Sequence, residues 1–174
     1  VGCSIQGTFR KAEQLGGAVP YDEFISAYNE AALKVIARAK ITPGTDALTD
    51  RLIKHGFKLG LVSSSPRLWI DAVLARLPFA GKFHHVESLF EHTELHPKPS
   101  PDGYLDALRF LEADPTQALV LEDSNPGITA GKAAGAYVIG FRGCLLPGYE
   151  QKGADAYADT MEDVAKLSEE FTLR

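Results

Sequence analysis

Three short stretches of this chain hold side chains whose types and spacing could do chemistry. The first is residues 118–127, ALVLEDSNPG. Its four apolar residues carry the signal of a short buried strand. They run into the acids Glu122 and Asp123, and then into Ser124-Asn125-Pro126-Gly127, which reads as a turn and helix start. Adjacent carboxylates at the carboxyl end of a buried strand repel each other and lose hydration, so a positive partner belongs there. In an open α/β sheet that edge is where ligands bind. A hard cation such as Mg²⁺, held by one or two carboxylates plus water and substrate phosphate, meets the need. Capping of the following helix by the same acids, at its positive end, is the other reading.

The second stretch is Ser63-Ser64-Ser65-Pro66, directly after an apolar run ending at Val62. Hydroxyls beside the free backbone N–H groups of a helix start make an anion site; a plain serine cap before proline is the alternative. The third is Lys98 in His96-Pro97-Lys98-Pro99-Ser100-Pro101. Prolines on both sides restrict the backbone around it. A solvated surface lysine needs no such frame, so Lys98 reads as a positioned cation.

The elements that must hold these residues follow from the apolar periodicity. Residues 4–15, capped by Ser4, and 21–39 read as amphipathic helices, and Pro43-Gly44 marks a boundary after this all-helical unit. From there the pattern alternates. Helices are expected over residues 45–55, 66–77, 101–112, 125–134 and 161–170. Strands are expected over 57–62, around 85–86, over 118–121 and 137–140, and around 156–157. Strand and helix alternating at this spacing imply βαβ units, hence an α/β fold with a doubly wound, Rossmann-like parallel sheet. The expected division is a helical cap at 1–42 and a core at 43–174.

Composition agrees with a single globular domain: 174 residues, 45% hydrophobic, 24% charged, net charge −5. That mild acidity argues against bulk binding to nucleic acid or anionic membrane. No apolar run approaches the ~20 residues of a membrane helix, and the opening VGCSIQGTFRK has no apolar signal core. Cys3 and Cys144, far apart and not in CxxC spacing, point to reduced thiols and a cytoplasmic protein. The histidines 84, 85, 92 and 96 cluster, but at spacings that match no common zinc pattern.

Ser63 after an apolar strand, Lys98 in KPSPDGY, and LEDSNPGITAGKAAGA resemble the second, third and fourth motifs of the haloacid dehalogenase superfamily. The last is the most specific, and the similarity runs over about residues 1–170. Within the superfamily the chain is most similar to the Mg²⁺-dependent phosphatase and β-phosphoglucomutase-like branch with a small helical cap. The resemblance implies that Ser63, with Ser64 and Ser65, binds a phosphoryl oxygen and that Lys98 neutralises charge at the transfer site. It implies that Asp123 binds Mg²⁺, with Glu122 a ligand directly or through water. The substrate would be a small phosphorylated metabolite such as a sugar phosphate, and the protein a monomer.

The family's first motif, DxDx[TV] after a buried strand, is absent: no DxD occurs between Val1 and Asp50. That motif would supply the aspartate nucleophile. The expectation is therefore that the nucleophile strand lies upstream of this sequence, that the chain as written is inactive, and that its sheet lacks a central strand. A mutase-type phosphotransferase, a non-catalytic phosphate- and Mg²⁺-binding paralogue and a receiver-like regulatory domain are the competing readings. The helical unit and the EDSNPG turn disfavour the last.

Overall fold

The computed structural model describes residues 5–17, 19–92 and 94–172. Its elements run α1 (Ile5–Gln14), α2 (Tyr21–Arg38), α3 (Thr45–Lys54), β1 (Gly60–Ser63), α4 (Arg67–Leu74), β2 (His85–Ser88), α5 (Asp102–Phe110), β3 (Leu119–Glu122), α6 (Asn125–Ala133), β4 (Tyr137–Phe141), β5 (Ala156–Ala158) and α7 (Met161–Thr172). Every element expected from periodicity is present. The expected Ser4 cap and Cys3 fall outside the described residues. β1 begins later than its apolar run, because the Phe57 N–H still donates to the Leu52 carbonyl at 3.0 Å and closes α3. Gly56 and Gly135, at φ of 82° and 87°, turn α3 and α6 towards their strands in a conformation that disfavours a side chain.

All strand pairs are parallel: β1 with β2, β3 with β4, and β4 with β5. Consecutive residues of a strand face opposite sides of its sheet, and β4 shows how both sides are covered. Ile139 and Phe141 pack with Leu48 of α3 and Met161, Val164 and Ala165 of α7. Val138 faces the other way, with Val120, Ile128 of α6 and Tyr104 of α5. The result is a helix–sheet–helix sandwich, the doubly wound arrangement that alternating elements require.

Among the described residues the five strands nevertheless form two sheets, β1-β2 and β3-β4-β5. Between β1 and β3 lies a slot of about 660 Å³, lined by Leu61 and Val62 on one side and by residues 119–122 on the other. Leu121, in the middle of β3, is 38% exposed as a consequence. Both strands end at the same edge, since Lys98 reaches the Val62 carbonyl and the Glu122 carboxylate together. Among the described residues the slot is thus flanked by two strand edges without ladder partners on that side, a condition that proteins normally avoid.

The α1–α2 unit sits on α4. The ring of Tyr28 lies 5.6 Å from that of Trp69, whose indole N–H donates to Asn29 Oδ1 at 2.9 Å. Arg76 donates to the carbonyls of Ile36 and Ala39, which tie down the otherwise unsatisfied carboxyl end of α2. The apolar stripe of α2 is only partly used in packing, for Val35 is 69% exposed.

If the slot leaves its flanking strands half-paired, backbone amides should report it. In hydrogen exchange on this 174-residue chain, β4 amides should be the most protected and those of β1 at least roughly tenfold faster. Equal protection of β1 and β4 would show that the slot is closed in solution.

Candidate active site

The carboxyl ends of β1 and β3 are joined by one side chain, Lys98. Its ammonium donates to the Val62 carbonyl at 3.2 Å, to the Tyr104 hydroxyl at 2.9 Å and to Glu122 Oε1. It also lies 4.7 Å from the centre of the Tyr104 ring. The loop that delivers it is braced by Asp102, at the start of α5. One Asp102 oxygen accepts from Ser100 Oγ at 2.6 Å, and the other from the His96 backbone N–H at 2.9 Å and faces His96 Nδ1 at 2.7 Å. These bonds, the Ser100 hydroxyl first, hold the Asp102 carboxyl at about 2.

Glu122 is buried, with its side chain 7% exposed, and all of its acceptor capacity is engaged. Oε1 takes Lys98 and the Tyr104 hydroxyl; Oε2 takes the Ser124 N–H at 3.3 Å and Oγ at 3.0 Å. Burial alone would raise its pKa, but the Lys98 charge and these hydrogen bonds hold the carboxyl below its usual range. Burial, and then the charge of Glu122, pushes the Tyr104 hydroxyl well up, so it stays a proton donor to that carboxylate. The backbone of α6 presses directly on the pair. A Cβ at Gly127 would fall 2.0 Å from the Glu122 carboxyl carbon, which requires glycine there.

Ser124 is the cap of α6, its Oγ accepting from the Gly127 N–H at 3.1 Å. The two acids are therefore released from capping. Asp123 is exposed and has no hydrogen bond or ion pair among the described residues. An uncommitted carboxylate at a strand end, one residue from a neutralised one, is the hard oxygen donor that Mg²⁺ takes along with water and phosphate. The donor set fits that ion through Asp123.

Ser63 ends β1 and accepts from the Ser65 N–H at 3.1 Å; Ser64 is exposed and Ser65 half-buried. The neighbouring helix start is already served from within the chain. Glu91 Oε1 accepts from the Arg67 N–H at 2.9 Å, and its other oxygen accepts from Ser88 Oγ, which is also 2.8 Å from the Ser65 carbonyl. The structure thus gathers Lys98, Glu122 and the end of β1 through direct bonds. It gives Ser63 to Ser65 a turn of their own beside a Glu91-capped helix.

Tyr104 and Asn125, which lie inside the quoted motifs without a role assigned there, and Gln151, which lies outside them, also belong to the site. The Asn125 N–H donates to Tyr149 Oη at 2.7 Å, and its side chain spans the Glu150 carbonyl and the Lys152 N–H, both at 2.9 Å. Gln151 Nε2 donates to the carbonyls of Phe141 at 3.0 Å and Glu122 at 3.3 Å. The β4–β5 connection is thereby strapped over the turn that carries Asp123. Tyr104 had one usable signal, a phenol on the buried face of a helix, whose hydroxyl needs a partner. Gln151 sits in a loop and had none.

Because the folded Glu122 carboxyl lies below its ordinary 4.5, the stability it contributes is complete above that pH and disappears as pH falls through the lower, folded value. Lys98→Met should strand a buried carboxylate and cost about 3–5 kcal/mol in urea unfolding at neutral pH. A loss below about 1 kcal/mol would place the pair among surface ion pairs of little weight.

A model of haloacid dehalogenase-like hydrolases matches residues 6–135. The Arabidopsis thaliana bifunctional riboflavin kinase/FMN phosphatase is 31% identical over 82% of this chain and 38% of its own length. The Bacillus subtilis β-phosphoglucomutase is 34% identical over 71% of the chain and 51% of its own. The chain thus spans about half or less of these relatives. The crystal structure of CbbY from Rhodobacter sphaeroides in complex with phosphate superposes with a TM-score of 0.72 at 27% identity, covering 85% of this chain and 67% of that one. With its fold, its Lys98–Glu122 edge and this match over most of its length, the chain belongs to the haloacid dehalogenase-like hydrolases.

Proposed function

We propose that this chain carries the phosphate- and metal-binding part of a Mg²⁺-dependent phosphatase acting on a small phosphorylated metabolite, a sugar phosphate in the first place. The observation that carries the reading is the edge where β1 and β3 end. A lysine is fixed there by Val62, Tyr104 and Glu122, beside a carboxylate, Asp123, with no partner of its own among the described residues. Two relatives, a bifunctional riboflavin kinase/FMN phosphatase and a β-phosphoglucomutase, support the same class of substrate.

In this reading Lys98 offsets negative charge on the phosphoryl group, and its bond to Glu122 fixes where that charge is placed. Ser63, with Ser64 and Ser65 next to it, donates to phosphoryl oxygens; the Ser63 hydroxyl accepts from Ser65 and so keeps its own proton free to donate. Asp123 holds Mg²⁺, and Glu122 acts behind it, as the counterion of Lys98. The metal, when bound, supplies charge neutralisation between carboxylate and phosphate. Positioning and electrostatics of this kind are most of what phosphoryl transfer requires of a protein.

The attacking group is proposed to come from a strand seated in the slot between β1 and β3. Its carboxyl end would lie at the edge where Lys98 spans the gap. A carboxylate there would take the phosphoryl group from the substrate oxygen, releasing the alcohol, and water would then cleave the acyl phosphate to inorganic phosphate. Residues 1–42, of which α2 packs on α4, would serve as the cap over this edge.

Two outcomes follow for activity. The 174-residue chain alone should not hydrolyse p-nitrophenyl phosphate, with or without Mg²⁺; robust turnover by protein of verified intact mass would overturn the slot-strand reading. In a form that includes such a strand, Asp123→Asn should lose Mg²⁺-dependent turnover by at least roughly a hundredfold. Unchanged Mg²⁺-dependent kinetics in that variant would remove Asp123 from the metal site.

A further inference from the structure

A second polar cluster lies on β2, which pairs with the side of β1 away from the slot. His85 and Glu87 are two residues apart on that strand and therefore share a face. α5 packs across β1 and β2 and brings Asp106 to the same place. The His85 Nε2 atom is 3.1 Å from Glu87 Oε2, and one donor atom from each of His85, Glu87 and Asp106 lies within 4.8 Å of the others. His92 Nε2 is 2.8 Å from the other oxygen of Glu87.

The charges in this cluster do not balance. The Glu87 side chain is 6% exposed, and glutamate is rarely buried to that degree without a countercharge. Its ion-pair partners among the described residues are the two imidazoles, which carry charge only when protonated. Asp106 is paired to Arg109 three residues on, and that guanidinium is 82% exposed, a surface pair of the kind that contributes little. Two carboxylates are thus brought together around neutral-capable rings, with one loosely held cation at the rim.

The cluster is also oriented. The ring of Phe110, one turn after Asp106 on α5, stacks on His85 with centroids 4.2 Å apart and planes 28° from parallel. That contact fixes the plane of the imidazole and hence the direction of its lone pair. Ligand atoms around a tetrahedral zinc, with bonds of about 2.0–2.1 Å, stand roughly 3.3 Å apart. The separation between His85 and Glu87 is already close to this.

We propose that His85, Glu87 Oε2 and Asp106 form a zinc site that ties β2 to α5, independent of Asp123. One imidazole and two carboxylates are a donor set that zinc accepts, with the fourth position left to water at the partly exposed Asp106 side. His92 is not a ligand in this arrangement. It donates from Nε2 to Glu87 Oε1 and orients the carboxylate from behind, as hydrogen-bonded neighbours of metal ligands do. The histidine cluster did not announce this site in the sequence, because its carboxylate ligands come from the strand and from a helix some twenty residues further on.

The test is titration of metal-free protein, shown to be folded by its near-ultraviolet circular dichroism, with ZnCl₂ in a calorimeter and with Co²⁺ read by its visible absorption. The expected result is one equivalent bound at about micromolar or tighter, with the intense cobalt bands of a tetrahedral site and a rise in the melting temperature. His85→Gln and Asp106→Asn should each weaken binding by at least roughly tenfold, and His92→Ala by about tenfold. Asp123→Asn should leave it unchanged. Asp106 is partly exposed, so its asparagine variant keeps the test valid if the His85 variant fails to fold. No binding below about 100 μM, equal binding in wild type and Asp106→Asn, or loss of binding in Asp123→Asn would each overturn the proposal.

Discussion

The buried pair of Lys98 and Glu122 is the constraint on which the candidate site depends. Two charges withdrawn from water cost several kcal/mol each unless every lone pair and proton finds a partner. Here each does: Lys98 has Val62, Tyr104 and Glu122, and Glu122 has Lys98, Tyr104 and Ser124. The surroundings are shaped to keep it so. Gly127 leaves room for the carboxylate, the Asp102 bonds fix the lysine loop, and Gln151 holds the carbonyl of Glu122 itself. Because Glu122 is consumed by this pair, the adjacent Asp123 is the carboxylate left facing solvent.

The same pair spans the slot that divides the sheet. Parallel sheets are stable when covered by helices on both faces and laddered strand to strand. β3, β4 and β5 meet both conditions, whereas β1 and β2 stand apart and rely on α5 for their connection to the rest. α5 is accordingly the element with the most duties. Tyr104 on it faces the slot and Glu122, Gly103 allows the close approach of Leu89 and Val62, and Asp106 turns towards β2. Residues two apart on a helix point to different faces, which lets one short helix serve two clusters.

Much of the architecture could be read from the chain alone. The alternation of apolar runs with helical periodicity gave the α/β class, and the turn chemistry of Ser124-Asn125-Pro126-Gly127 placed the start of α6 at the residue found. The prolines around Lys98 correctly marked a held side chain. Each of these signals is local: period, cap and ring constraint are all written within a few residues, and tertiary packing had only to agree with them.

What the sequence left open was decided by groups far apart in the chain. Whether Glu122 and Asp123 share one role depended on Lys98 and Tyr104, 24 and 18 residues away, which occupy the first acid and leave the second uncommitted. Glu91, which follows β2, accepts from the Arg67 N–H at the start of α4, a contact that nothing near the serines in the sequence signals. Periodicity determines which residues are buried, because burial follows from the face of a helix or strand. It does not determine which buried polar groups meet, because that depends on the register and angle at which whole elements pack, and only the folded chain sets those.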